Sequence, residues 1–122
     1  MSGSCRMDSP LPDWRKDFGL TVCEAESLEK AIPPQALGVA VITGATKTGE
    51  TVYLVIESRS SSLLSVCQKR LQSGKLPPAS ALSVAYSCEV PTDATSDALK
   101  LICRQQVILA AELRRRLRPS MR

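Results

Sequence analysis

The chain has 122 residues, and its composition excludes several classes of protein. This length suits one small domain and is too short for two. Hydrophobic residues make up 43% of the chain and aromatic residues only 3%, so we expect an aliphatic core without the stacked aromatic platforms of single-strand nucleic-acid modules. Because the chain has no histidine, catalysis by a Ser-His or Cys-His pair is excluded.

The formal net charge of +4 is unevenly distributed along the chain. Residues 113–122 contain five of the 16 basic residues and no acidic residue, which leaves 11 basic and 12 acidic residues in the rest of the chain. A cationic end on a near-neutral body suggests docking to nucleic acid, an anionic membrane surface or an acidic protein patch. Arginines at the C-terminal end of a helix also interact favourably with the helix dipole. The alternative to a docking role is therefore a solvated helix end.

The five cysteines are widely spaced, with no Cys-x-x-Cys pair: Cys5, Cys23, Cys67, Cys88 and Cys103. We therefore expect no metal site and no cofactor, and we expect most of the thiols to pack as small apolar groups. A redox role for one of them is the alternative. The given sequence contains no apolar run of roughly 18–20 residues, and its first residues lack the apolar core of a secretory signal. The sequence predicts an intracellular protein of a reducing compartment, without deciding between cytoplasm, nucleus and organelle (mitochondrion or plastid).

The first part of the chain predicts a tail followed by a short anchor. Residues 1–12 are rich in Ser and Pro and lack periodicity, which is typical of a flexible tail. We expect residues 13–118 to form a single domain and residues 119–122 to form a basic C-terminal tail. Trp14 and Phe18 are one helical turn apart and predict an anchor, either onto the chain's own core or onto a partner.

A helix, a β-hairpin and a second helix are predicted next. Residues 23–32 suit a short helix that ends at Pro33. Two runs rich in β-branched residues, 38–43 and 51–56, flank a polar segment with two glycines, as in a β-hairpin. An apolar stripe at helical spacing predicts the second helix at residues 60–73.

A third strand and a long helix complete the predicted order. Apolar residues alternate with small residues over residues 81–90, which predicts a strand with one buried face. A helix is predicted at residues 95–116 from the spacing of Leu99, Ile102, Leu109, Leu113 and Leu117. The sequence thus predicts an α+β domain with a small three-stranded, mainly antiparallel sheet (β-hairpin, helix, strand, long C-terminal helix) and a short N-terminal helix.

This order resembles the GIY-YIG domain of homing endonucleases and of the incision module of bacterial nucleotide-excision repair. Gly-Val-Ala at residues 38–40 is similar to the Gly-Ile-Tyr motif of that family, and Tyr-Leu-Val at residues 53–55 to its Tyr-Ile-Gly motif. The resemblance covers residues 37–119. It implies that Arg70, with Arg59 ahead of its helix, corresponds to the functional arginine of the family and that the metal-binding glutamate corresponds to Glu112.

Both motifs are broken in this chain. Ala40 replaces the first tyrosine and lacks a hydroxyl, and Val55 replaces the glycine that lets the backbone approach a substrate. Loss of general acid–base help lowers a rate by roughly 10²–10⁴. The chain is therefore expected not to be an enzyme and to keep only degenerate counterparts of the family's site: Gly38, Tyr53, Arg70 and Glu112.

Three functions are compatible with these features. The first is a non-catalytic interaction module, a small structural subunit that docks onto the protein subunits of a larger intracellular assembly. The second is a nucleic-acid-binding or ribonucleoprotein component, whose docking or phosphate-binding residues would be Lys100, Arg104, Arg114, Arg115, Arg116 and Arg118. The third is a metal-dependent GIY-YIG endonuclease, which would need Tyr53, Arg70 and Glu112 to converge with Mg²⁺.

Overall fold

The structure, a computed structural model, describes residues 14–47, 49–58, 61–91 and 95–120. The predicted tail at residues 1–12, Cys5 and Arg59 lie outside these ranges. Short 3₁₀ turns occupy Ala25–Ser27 and Ala79–Ala81. The other elements in chain order are α1 (Trp14–Asp17), β1 (Thr21–Glu24), α2 (Leu28–Ala31), β2 (Leu37–Thr46), β3 (Gly49–Glu57), α3 (Leu63–Leu71), β4 (Leu82–Glu89) and α4 (Ser96–Leu117).

The strands form one antiparallel sheet in the order β1-β4-β2-β3. β2 lies at the centre, where Val41 is opposite Ala85 of β4 and Val55 of β3. The predicted α+β class and the mainly antiparallel sheet are confirmed. The predicted number of strands was one too small, because β1 forms a fourth strand at the edge.

β1 takes the place of the first part of the helix predicted at residues 23–32. Cys23 pairs with Val84 of β4, and the chain then makes the 3₁₀ turn and the single turn of α2. An isolated helix of ten residues is marginal in water, whereas an edge strand gains ladder hydrogen bonds and packing. Tertiary pairing therefore overrides the helical spacing of this segment.

The hairpin is longer than predicted and contains an irregularity. β2 continues to Thr46, so two residues connect it to β3, where the sequence indicated a longer polar loop. Ile42 pairs with Leu54 but Thr43 pairs with Val52, which leaves Tyr53 as the extra residue of a β-bulge. From the bulge to the turn, each residue of β2 therefore pairs with the β3 residue one position earlier than an uninterrupted ladder would give.

Helices cover both faces of the sheet, so the domain has two cores. Successive strand residues point to opposite faces, and Ala40 and Val41 of β2 accordingly belong to different cores. The core under α2 and α3 includes Ala40, Ile42, Leu54, Ile56, Leu63 and Cys67. The core under α1 and α4 includes Val39, Val41, Val55, Ala85, Ala110 and Leu113.

α4 crosses the second face close to its predicted limits. The side chain of Thr95 accepts a hydrogen bond from the Ala98 amide (3.3 Å) and caps the helix, which ends at Arg118 in the left-handed region (φ 49°). The predicted apolar stripe is half-buried or buried, and Leu113 is fully buried. Past the predicted end of the domain, the Ser120 amide donates to the Val52 carbonyl (3.1 Å). Among the described helices, none has the length and apolar character that a membrane crossing requires.

Candidate functional site

The four residues that the resemblance matches to nuclease motifs lie in separate places. Tyr53 packs against the core under α3, whereas Glu112 is exposed on α4, which covers the opposite face of the sheet. Arg70 is exposed on α3, and Gly38 is buried in β2. The structure thus does not bring Tyr53, Arg70 and Glu112 together around one point. Within the described ranges, no group of three or more His, Cys, Asp or Glu side chains could hold a metal ion.

The two positions at which the motifs are broken are core positions. Ala40 is fully buried in the core under α3, and Val55 is buried in the core under α4. Ala40 lines neither of the two cavities described below, whereas Val55 lines the one beside β3. Packing explains why these positions carry small or β-branched aliphatic residues here.

Gly38 is part of a buried chain of hydrogen bonds. Its amide donates to the Ser58 hydroxyl oxygen (2.9 Å), and that hydroxyl donates to Oε1 of Gln106 on α4 (2.9 Å). A Cβ atom at this position would overlap the carbonyl oxygen of Ser87 and lie 2.7 Å from the Cα atom of Cys88. The glycine therefore permits a close approach of β2 and β4, and its role here is structural.

A cavity of about 280 Å³ lies beside this chain, between α4 and the ends of β2 and β4. Gln106 is only 6% exposed, and its Nε2 atom has no hydrogen-bond partner among the described residues. A buried donor of this kind costs roughly 1–3 kcal/mol unless a ligand or water accepts from it. The residues that line the cavity are Gly38, Val39, Ser87, Cys88, Glu89, Ile102, Gln105, Gln106 and Leu109.

Arg70 lies at a second cavity of about 230 Å³, beside the edge strand β3. Glu57 and Arg114 line the same cavity, and the Glu57 carboxylate, which is 7% exposed, is 3.7 Å from Nη1 of Arg114. Arg114 also donates to the carbonyl oxygen of Val55 (3.1 Å). The arginine thus compensates a buried charge and occupies a carbonyl of the edge strand. Glu57 was not predicted from the sequence, although an acidic residue directly after the apolar run at residues 52–56 was a usable signal.

The six predicted docking or phosphate-binding residues do not form one surface. Arg114 contacts β3, as described above. Arg116 donates to the Asp17 carboxylate (2.7 Å) and lies 5.6 Å from the centre of the Phe18 ring. Both side chains are therefore held by contacts within the domain. All six residues are exposed, and within the described structure Arg114 and Arg116 are the two that form ion pairs.

The two aromatic residues near the N-terminus pack onto the chain itself. Trp14 and Phe18 are half-buried against the core under α4. The Arg15 guanidinium lies 4.3 Å from the centre of the Trp14 ring, and it also pairs with Glu50 at the start of β3. In the structure, this aromatic pair therefore packs onto the chain's own core, which is one of its two predicted roles.

Burial raises the pKa of three described cysteines, Cys23, Cys67 and Cys88. Burial, reinforced by the nearby Cys23 thiol, raises the pKa of Cys67 to about 12. Because the thiolate is the reactive form, these shifts favour inert thiols. Burial, followed by the Cys23 and Cys88 thiols, raises the pKa of Tyr86 as well.

The outer face of α4 carries large apolar side chains that nothing in the described structure covers. Leu101 is 55% exposed and Ile108 is 57% exposed, and they are seven residues apart on the same face. Val107 is 46% exposed on the flank. We call the exposed positions along this face the outer stripe: Asp97, Leu101, Arg104, Ile108, Ala111 and Arg115. The apolar positions predicted for α4 all face the sheet, so the outer stripe on the opposite face was not predicted from the sequence.

Comparison with protein-family models, with curated proteins and with solved structures found no match to this chain.

Proposed function

We propose that the protein is a non-catalytic interaction module of GIY-YIG type, a small structural subunit that docks into a larger assembly through the outer stripe. The observation that carries this proposal is the exposure of Leu101 and Ile108 on a helix whose other face already covers the sheet. Burial of apolar surface against a partner is favourable by roughly 25 cal/mol per Å². An exposed apolar patch of this kind is typical of an interaction site.

The placement of the nuclease counterparts supports the non-catalytic part of the proposal. Glu112 is exposed on α4, which covers the face of the sheet opposite to the core that Tyr53 packs against. The order from β2 to α4 (hairpin, helix, strand, helix) is the one that the resemblance implies. A scaffold that keeps this order while using Ala40 and Val55 as core residues suits binding better than hydrolysis.

The test compares two pairs of substitutions in the full chain. Leu101→Lys with Ile108→Lys removes the apolar part of the outer stripe, and both residues remain good helix formers. Val22→Lys with Val90→Lys is the matched control, because these valines are also exposed (50% and 42%) but lie off α4. Circular dichroism and thermal unfolding establish that both variants are folded.

The readout is the formation of a defined complex. Tagged chain is used to capture proteins from native extract, and each captured protein is then purified and mixed with the purified chain. We expect co-elution with the parent and with the Val22/Val90 control, and at least about tenfold weaker binding for the Leu101/Ile108 variant, which corresponds to about 1.4 kcal/mol. Equal binding by all three proteins would overturn the proposed surface. Mg²⁺-dependent DNA cleavage that Glu112→Ala abolishes would overturn the non-catalytic assignment.

A further inference from the structure

We infer that the outer stripe is covered by a second copy of this chain, whose α4 packs antiparallel on it. This inference rests on the proposed function and names the partner of the same surface. The positions of the stripe are separated alternately by four and three residues, and the described members are all exposed. That spacing is the 3.5-residue repeat with which two α-helices form a coiled-coil seam.

The charges of the stripe fix the orientation of the two helices. Asp97 lies in the first turn of α4 and Arg115 in the last turn. In an antiparallel pair centred on residue 106, Asp97 of each copy is level with Arg115 of the other copy, which gives two symmetric ion pairs. A parallel pair would instead place like charges opposite each other at both ends, which is unfavourable. Among the described residues, neither Asp97 nor Arg115 takes part in a recorded ion pair.

The side-chain sizes of the stripe agree with the same register. Leu101 of one copy is level with Ala111 of the other, so a large side chain meets a small one. Arg104 is level with Ile108, over which its aliphatic stem can pack while the guanidinium reaches water. A parallel pair would place Arg104 against Arg104. The antiparallel pair is two-fold symmetric, with the same patch used by both copies.

The length of the seam sets the expected strength of the dimer. α4 has 22 residues and is therefore about 33 Å long at 1.5 Å per residue. Each copy contributes two large apolar residues to the seam, Leu101 and Ile108, with Val107 at its flank. For such a short interface we expect a dissociation constant on the order of micromolar, which is about 8 kcal/mol.

The experiment measures the molar mass of the purified full chain by sedimentation equilibrium over a series of micromolar concentrations. The parent is expected to dimerise. Asp97→Arg and Arg115→Asp each replace two ion pairs by two like-charge contacts, so each single variant is expected to dissociate at least about tenfold more readily. The double variant restores opposite charges and is expected to dimerise as the parent does. Lys69→Asp reverses an exposed charge on α3 and is the control that should leave the dimer unchanged.

The outcomes separate this inference from the proposed function. A parent chain that stays monomeric at every concentration overturns the inference, and the proposed function still stands if the Leu101/Ile108 variant loses a different protein partner. A dimer that the double charge exchange fails to restore overturns the antiparallel register. Circular dichroism of each variant identifies any loss of helix, and the restored double variant would exclude unfolding as the cause of the single-variant effects.

Discussion

Gly38 shows how one residue can be required by packing at a position that resembles a catalytic motif. A side chain there would meet the backbone of β4 at Ser87 and Cys88, which cannot rotate away. At Gly44, by contrast, a Cβ atom would lie 2.8 Å from Cε2 of the Tyr53 ring, and a side chain can move. The loss of stability on adding a Cβ atom therefore depends on whether the nearest atoms belong to the backbone or to a side chain that can move.

We expect Gly38→Ala to lower the free energy of unfolding by more than about 2 kcal/mol, since overpacked substitutions typically cost 1–3 kcal/mol. Gly44→Ala is the matched comparison and should cost clearly less, because the closest atom belongs to a ring that can move and the backbone oxygen of Ala81, at 3.3 Å, requires only a small adjustment. Urea unfolding followed by circular dichroism measures both variants. Equal losses in the two variants would contradict the role assigned to the β4 backbone.

Cys67 links stability to alkaline pH. Its pKa is raised from about 9 to about 12 in the folded protein, so between these values the unfolded chain releases a proton that the folded chain keeps. The stability contributed by the neutral thiol is complete below about pH 9 and is lost as the pH rises toward 12. The expected slope is up to about −1.4 kcal/mol per pH unit.

Cys67→Ala should show a shallower fall in the free energy of unfolding between pH 9 and pH 12 than the parent, although it is less stable at neutral pH because it leaves a small cavity. Denaturant titrations at several pH values measure both slopes. Parallel curves for the two proteins would show that Cys67 does not cause the alkaline loss. Comparing slopes cancels the contribution of the tyrosines and lysines that titrate in the same range.

At the scale of the element, local sequence patterns predicted the strands and helices that depend on interactions between residues close in sequence. The hairpin strands, β4 and α4 follow from alternation and helical spacing, and their observed limits differ from the predicted ones by a few residues. β1 has only four residues and forms because β4 offers an edge, which no local pattern of residues 21–24 records. The same holds for Glu57 and Gln106, whose partners are distant in sequence. Pairing and burial between distant segments account for the features that sequence patterns did not predict.

Thr95 is a local feature whose contribution can be measured directly. Its hydroxyl accepts from the Ala98 amide and satisfies one of the free amides at the start of α4. We expect Thr95→Ala to lower the free energy of unfolding by about 1 kcal/mol, whereas Thr95→Ser, which keeps the cap, should stay close to the parent. Thermal unfolding followed at 222 nm compares the three proteins. A loss as large in the serine variant would mean that the threonine methyl group, and not the cap, is responsible.

At the scale of the whole molecule, a sheet covered on both faces leaves limited surface for a partner. One helix layer, α4, both completes a core through Leu113 and presents the outer stripe to solvent. The same helix uses Arg114 and Arg116 inside the domain. The arginines at the end of α4 are thus of two kinds: Arg114 and Arg116 form ion pairs within the domain, whereas Arg115 and Arg118 form none within the described structure.

Binding to duplex DNA should therefore depend on salt less steeply than six basic residues would imply. Each phosphate contact contributes about −0.9 to the slope of log K against log salt. The four basic residues that form no ion pair within the described structure, Lys100, Arg104, Arg115 and Arg118, therefore allow about −4 at most, and all six would give about −5. One of the four, Arg115, pairs with Asp97 of the other copy in the inferred dimer, which would reduce the slope to about −3 per chain. Fluorescence anisotropy of a labelled duplex over a salt series measures the slope. Arg114→Gln with Arg116→Gln should leave it unchanged, and a clear decrease in that variant would show that these two arginines leave their contacts with β3 and α1 to bind phosphate.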